Sequence, residues 1–203
     1  MTGRIHLASR NPKKIGEMQR ILAEHVPGLE VVGLDDVPAY PEPVEDAPTF
    51  EGNALLKARA GAAATGLVTI ADDSGLCVDA LNGMPGVLSA RWSGPPKDDA
   101  RNNTLLLHQL ADVPDARRTA HFACAVAVVA PGGRELVVEG RMDGVVVRAP
   151  RGEGGFGYDS LFEAVEFPGR TTAELTPADK DAVSHRGRAL RALAPRLGEV
   201  LGS

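Results

Sequence analysis

Only two cysteines, Cys77 and Cys124, occur in the 203 residues, so neither a disulfide framework nor a cysteine-rich zinc site can organise the chain. Both sit in apolar, strand-like runs, Leu76-Cys77-Val78 and Phe122 to Val126, where a reduced thiol behaves as a small core residue. Long apolar runs are also missing. The longest, Phe122 to Ala130, is too short to cross a bilayer, and Met1 to Lys14 lacks the apolar stretch of a signal peptide. These absences predict a cytoplasmic protein without a membrane partner. Nor is there an excess of positive charge: Lys+Arg 22 against Asp+Glu 27 leaves −5. No general field then draws in bulk nucleic acid, and a polyanionic substrate has to be met by a local cluster. A Walker A loop, a Cys/His zinc spacing and a G-x-S-x-G elbow are all absent.

What is present is ordinary for a folded protein, with 43% hydrophobic and 24% charged residues. The length predicts one domain over 1–203, elaborated into two lobes whose boundary the sequence does not mark. Gly 23 and Pro 15 imply plentiful loops. Arg4 to Ser9 reads as a strand, and Ile15, Met18, Ile21 and Leu22 follow at helical spacing. Leu29 to Leu34 reads as a second strand, and Asp35 to Pro48 as a loop rich in proline and acid. Thr49 caps a helix that runs to Thr65 and stops at Gly66. Leu67 to Ala71 predicts a short buried strand that runs directly into Asp72-Asp73-Ser74-Gly75, and Asp98 to Ala111 another helix. From Arg117 to Val147 two β-prone segments flank Pro131-Gly132-Gly133, a hairpin signal. Tyr158 to Phe162 looks extended, Thr176-Pro177 starts a helix, and Leu190, Leu193, Leu197 and Leu201 mark one face of a final helix.

Several segments carry chemistry. Ser9-Arg10-Asn11-Pro12-Lys13-Lys14 lies where a strand hands over to a helix, a position that favours anions, although an ordinary loop with solvated lysines would read the same way. Glu45, Asp46 and Glu51 flank a helix whose Thr49, Asn53 and Lys57 recur every fourth residue and share one face. Asp72 and Asp73 follow an apolar strand, where two acids are costly unless they meet a cation or water. Successive strand residues point to opposite faces, so one acid faces a metal and the other orients the loop. Gly152-Glu153-Gly154-Gly155-Phe156-Gly157 matches G-x-G-x-x-G literally, yet Pro150 precedes it and no helical run follows, which argues for a flexible loop presenting Phe156, Tyr158 and Asp159. Lys180, His185, Arg186 and Arg188 form a basic turn that equally describes a charged surface. Asn102-Asn103-Thr104 spells a glycosylation triplet without meaning in a reduced compartment.

Taken in order, these segments resemble the inosine triphosphate pyrophosphatase family, also called the dITP/XTP pyrophosphatases. The resemblance is carried by Ser9 to Lys14, Thr49 to Ala54 with Lys57-Ala58, Ala71 to Leu76, Pro85-Gly86-Val87 with Ser89-Ala90-Arg91, Gly154 to Asp159, and Ser184-His185-Arg186-Gly187. It implies an α/β fold with an elongated mixed central sheet flanked by helices, two lobes with the active-site cleft between them, and a homodimer. The implied activity is Mg²⁺-dependent hydrolysis of ITP, dITP or XTP to the monophosphate and pyrophosphate, which clears these purine nucleoside triphosphates from the nucleotide pool. Nucleic acid is not an implied partner.

By the same resemblance Glu45 and Asp73 match the metal site, and Asp73, Lys14 and Lys57 the catalytic groups. Substrate contacts fall to Ser9, Arg10, Asn11, Pro12, Lys13 and Lys14 around the phosphates, and to Ser74, Phe156, Gly157, Tyr158, Asp159, Lys180, His185 and Arg186. Phe156 or Tyr158 would stack on the base, and Arg186 would donate to the 6-oxo group that adenine lacks. The chain departs from the family at Arg10 and Lys13, where glycines are frequent, and at Ser160, where proline is common. Two other readings remain: a Maf-like pyrophosphatase for other modified nucleotides, which Ser184-His185-Arg186 and Phe156 to Asp159 speak against, and a non-catalytic nucleotide-binding module, which the carboxylate and lysine set disfavours.

Overall fold

In the computed structural model, which describes residues 3–23 and 26–201, β1 (Arg4–Leu7) feeds directly into α1 (Pro12–Ala23). Met18 and Leu22, two members of the helical apolar stripe, are fully buried beside Ile5 and Leu7. The chain returns through β2 (Glu30–Val32), which pairs parallel to β1 with Ile5 opposite Val31. After the acidic loop comes α2 (Phe50–Thr65), capped by Thr49 Oγ1 accepting from the Gly52 N–H and ended by Gly66 at φ 67°. A left-handed residue is what closes a helix here, and glycine takes that conformation without steric cost.

One expectation needs correction at this point. The strand after α2 does not end at Ala71; β3 runs from Val68 to Val78, with Asp72-Asp73-Ser74-Gly75 inside it. Its start pairs parallel to β1, His6 opposite Thr69, and the two acids lie within the regular strand. The helix α3 (Asp99–Gln109) is capped by Asp98, and β4 (Thr119–Val129) and β5 (Glu135–Val146) flank the expected hairpin. The segment read as extended near Phe162 is a short 3-10 turn, Asp159–Leu161, followed by β6 (Phe162–Ala164), which pairs antiparallel to β5. The sheet is therefore mixed, in the order β2-β1-β3-β4-β5-β6.

At the C-terminal end α4 (Pro177–Val183) has Thr176 as its cap. The predicted final helix is broken in two: α5 (His185–Leu193), a 3-10 turn at Ala194–Arg196, then α6 (Gly198–Leu201). Pro195 explains the break, since it removes a backbone donor and its ring obstructs the preceding turn. Leu190, Leu193 and Leu197 are buried as the pattern required, while Leu201 is exposed.

The chain forms two compact units, and β3, β4 and β5 contribute residues to both. The first comprises Met1–Asp73, Cys124–Gly140 and Arg186–Ser203. Its core is Ile5, Leu7, Met18, Ile70, Val126, Leu190 and their neighbours, with an alanine-rich layer of Ala54, Ala58, Ala71 and Ala127 beneath α2. The second unit comprises Ser74–Ala123 and Arg141–His185, built on Leu76, Leu106, Phe122, Met142, Leu161 and Phe162. Cys77 and Cys124 are buried free thiols, as expected, and burial pushes both pKa values up. Among the described residues no helix is long and apolar enough to cross a membrane.

Candidate active site

In the first unit the strand alternation of β3 separates the two acids. Asp72 is 4% exposed and receives the Lys14 ammonium on both oxygens, at 2.9 and 2.7 Å. Arg186 donates from Nε to Asp72 Oδ2 at 3.2 Å and from Nη1 to Glu17 Oε2 at 3.2 Å. Lys57 reaches the same strand from α2, donating to the Asp72 carbonyl at 2.7 Å and to Glu45 Oε2 at 3.1 Å. Burial alone would push the Asp72 carboxyl up, but Lys14, Arg186 and Lys57 outweigh it and hold the group well below the usual carboxylate range. Burial likewise opposes the Arg186 charge, and Asp72 and Glu17 more than offset it, raising its pKa.

Asp73 is held differently. Asn53, fully buried, donates from Nδ2 to Asp73 Oδ2 at 2.9 Å, while its Oδ1 accepts the Ala47 N–H at 3.0 Å. One side chain thus orients an acid of β3 and fixes the loop that carries Glu45. The stripe at every fourth residue of α2 is real, with Thr49 capping the helix and Asn53 and Lys57 turned to the two acids. The same loop is tied down further along: the Tyr40 hydroxyl lies 2.8 Å from His6 Nε2, and Arg10 pairs with both Glu42 and Asp35.

The strand-to-helix loop is ordered by its own groups. Ser9 Oγ accepts the Asn11 N–H at 3.1 Å, the Asn11 carbonyl accepts the Ile15 N–H, and Pro12 opens α1. Arg10, expected at the phosphates, is paired with the acidic loop on the surface. The Lys13 side chain lies outside the described residues. Among the described residues no group of three or more His, Cys, Asp or Glu side chains stands together as a preformed metal site.

The second unit holds the glycine loop. Asp159 is buried at its base: Oδ2 accepts the Phe156 N–H at 2.8 Å and the Lys180 ammonium at 2.5 Å, and Oδ1 accepts from Thr172 Oγ1 at 2.9 Å. A side chain at Gly155, whose φ is 75°, would collide with Asp159 Oδ2 and Lys180 Nζ, so the close wrap requires glycine. Phe156 keeps 50% of its surface exposed, with Lys180 Nζ 5.3 Å from its ring centroid. Tyr158 differs from its expected role as a stacking ring. It is 4% exposed, and its hydroxyl donates to the Ser89 carbonyl at 2.9 Å, so the ring is committed to the core. His185 stacks on Phe122 with centroids 4.9 Å apart, and Ser74 lies half-buried in β3. A cavity of about 470 Å³ beside α3 is lined by Ser93, Ala100, Arg101, Thr104, Leu105 and His108, none of them a predicted site residue.

Reasoning from sequence missed the buried Asp72 as the hub of the cations, Glu17 as the second partner of Arg186, and Asn53 as the group orienting Asp73. Asn53 had a visible signal in its spacing from Lys57. Glu17 had none, since a lone acid on an amphipathic helix reads as surface.

The model of the Ham1 family matches residues 5–196. The chain belongs to the Ham1 family. This Ham1 family member is 63% identical to the dITP/XTP pyrophosphatase of Nocardia farcinica, over 97% of its own length and 96% of that protein's. With the dITP/XTP pyrophosphatase of Corynebacterium efficiens it shares 56% over 97% and 98%. Among solved structures, the nucleoside-triphosphatase / dITP/XTP pyrophosphatase of Mycobacterium abscessus aligns with TM-score 0.79 at 59% identity, covering 95% of this chain and 99% of that one. A HAM1 protein of Coxiella burnetii aligns with TM-score 0.87 at 39%, covering 97% and 99%. With relatives this similar along the whole chain, the Ham1 family member is a hydrolase of the pyrophosphatase class.

Proposed function

We propose that this enzyme hydrolyses the deaminated purine nucleoside triphosphates ITP, dITP and XTP to the monophosphate and pyrophosphate, with Mg²⁺ as cofactor and as a homodimer. The observation that carries the reading is the set of cations ordered around Asp72, with Lys14 on its carboxylate and Lys57 on its carbonyl. Cleavage at the α-phosphorus builds negative charge on the departing pyrophosphate, and cations already held in place stabilise that charge without further reorganisation. Asp73, oriented by the Asn53 amide, holds the attacking water or takes its proton.

The donor chemistry of Glu45 and Asp73 fits Mg²⁺. Glu45 already faces a cation, Lys57, and carboxylate oxygens are the hard ligands that this ion takes alongside waters and substrate phosphates. When bound, the ion neutralises phosphate charge and polarises the reacting phosphoryl group. The purine is assigned to the exposed Phe156 ring. Arg186, which donates to Asp72 and Glu17, is the donor assigned to the 6-oxo group, where adenine would present a donor of its own. The names of the relatives support the substrate class.

The test is pyrophosphate release from ITP, dITP, XTP, GTP and ATP, with and without Mg²⁺. Pyrophosphate from the first three, in preference to the last two, is the expected result. Orthophosphate with a nucleoside diphosphate as product would overturn the cleavage site, and equal rates on all five would overturn the substrate class.

A further inference from the structure

Gly157 is gripped at both of its backbone polar groups by one helix. Asp99 Oδ2 accepts the Gly157 N–H at 2.8 Å, and Asn103 Nδ2 donates to the Gly157 carbonyl at 3.0 Å. The two side chains are one helical turn apart on α3 and so project from the same face. Tyr158 is fixed separately through Ser89, whose carbonyl Asn102 Nδ2 also approaches at 3.4 Å. The neighbour on the other side of Gly157 is Phe156, the exposed ring.

Asn103 is not where core packing alone would put an amide. Its Oδ1 is buried and has no hydrogen-bond partner among the described residues. A buried polar atom left unpaired costs about 1–3 kcal/mol, which an apolar side chain of similar volume would avoid. The carbonyl of Gly157 only accepts, so a donor is what this position supplies. Asp159 holds Phe156 from the other side, its Oδ2 accepting the Phe156 N–H at 2.8 Å and its N–H donating to the Phe156 carbonyl at 3.2 Å, so the α3 contacts at Gly157 complete the support of a ring flanked by glycines with φ of 75° and 61°.

We propose that Asp99 and Asn103 are positioning residues that fix the Phe156 ring for the purine. The inference rests on the stacking role assigned to Phe156 above. A clamp that orders the ring before substrate arrives removes an ordering cost from binding, so its loss raises KM and leaves kcat nearly unchanged. A residue that merely supports the fold acts otherwise, lowering the active fraction and hence apparent kcat at constant KM.

Steady-state kinetics with XTP and dITP test this on wild type, Asn103→Ala, Asp99→Ala, Asp99→Asn, Phe156→Ala and the double variant Asn103→Ala with Phe156→Ala. We expect Asn103→Ala and Asp99→Ala to raise KM roughly 5- to 20-fold with kcat within about twofold. Asp99→Asn, whose amide oxygen still accepts from Gly157, stays near wild type. The double variant is no worse than Phe156→Ala, because the clamp acts only through that ring. A fall in kcat at constant KM, an Asp99→Asn as impaired as Asp99→Ala, or multiplicative effects in the double variant would each overturn the clamp. If Asn103→Ala unfolds, Asp99→Ala at the half-buried start of the helix decides. An unchanged KM in Phe156→Ala would sink the stacking role itself, whereas a raised KM there beside normal clamp variants removes only the clamp.

Discussion

Arg186 and Asp72 form a buried ion pair: Nε lies 3.2 Å from Oδ2, and the two residues are 6% and 4% exposed. Removing one partner of such a pair strands the other charge away from water, which costs about 3–5 kcal/mol. Here Arg186→Ala strands Glu17, whereas Asp72 keeps the Lys14 ammonium on both of its oxygens. The expected loss in urea unfolding is therefore of that size, with Arg186→Lys losing less because a cation remains. A change below about 1 kcal/mol for Arg186→Ala would show the network to be dispensable to the fold. The coupling also sets the conditions for testing base recognition. Arg186→Lys, not Arg186→Ala, is the variant in which the ratio of kcat/KM for ITP to that for ATP reports on the 6-oxo contact, and it should fall roughly tenfold.

Asp73 is expected to behave in the opposite way, with activity lost and stability kept. It is half-buried, and the neutral amide of Asn53 donates to its Oδ2. Asp73→Asn replaces a ligand or base by a near-isosteric amide, and should cost roughly 100-fold or more in kcat with the unfolding midpoint little changed. Asn53→Leu, which removes the donor and also the acceptor for Ala47, should lower kcat by a smaller factor and destabilise too. Near wild-type turnover in Asp73→Asn would take the residue out of the chemistry.

Much of the architecture was legible because local signals and tertiary needs coincide. Thr49 and Gly66 bracket α2, Asp98 and Thr176 cap the helices that follow them, and Pro131-Gly132-Gly133 turns the β4-β5 hairpin. The errors arose where a local signal was overridden. The strand expected to end at Ala71 continues through Asp72-Asp73-Ser74-Gly75 to Val78, because Lys14, Arg186 and Asn53 supply the partners that make acids tolerable in a buried strand. Leu190 to Leu201 keeps a helical period through Pro195, which the backbone does not follow. At the site, residue types were readable but pairings were not. Lys14 and Asp72 are 58 positions apart, and Arg186 and Glu17 are 169 apart. Spacing along one chain carries no information on such contacts.

Arg118 offers a test confined to the second unit and to stability. It is buried, and its guanidinium is taken up by backbone carbonyls: Nε donates to Val146 at 2.8 Å, Nη1 to Leu110 at 2.7 Å and Nη2 to Val147 at 3.0 Å. The Leu110 carbonyl closes α3, where a cation also favours the negative end of the helix dipole. Arg118→Met keeps the volume and strands three acceptors, for a cost of about 3 kcal/mol, or about 6–12 °C in Tm for a chain of this size. A Tm within about 2 °C of wild type would deny the guanidinium its role as a staple.

Acid should weaken the fold in two separable steps. His6 is fully buried, with Nδ1–H directed at the Val32 carbonyl and the Tyr40 hydroxyl at Nε2, and burial lowers its pKa against the smaller opposing effect of the carbonyl. Asp72 also has its pKa lowered, in its case by Lys14, Arg186 and Lys57 against burial. The sign is the same for both. A group whose folded pKa lies below its unfolded value binds fewer protons when folded, so stability is present above the unfolded pKa and drains away as pH falls beneath it. For His6 the loss begins below about pH 6.5, and for Asp72 below about pH 4. Urea unfolding over that range should show wild type losing stability in both windows, His6→Gln flattening the upper one and Asp72→Asn the lower. The Asp72→Asn protein starts from a lower stability, since Lys14 loses its anion and Arg186 one of its two, so the slope and not the absolute value is the readout. Parallel slopes in all three proteins would mean that neither group carries the acid sensitivity.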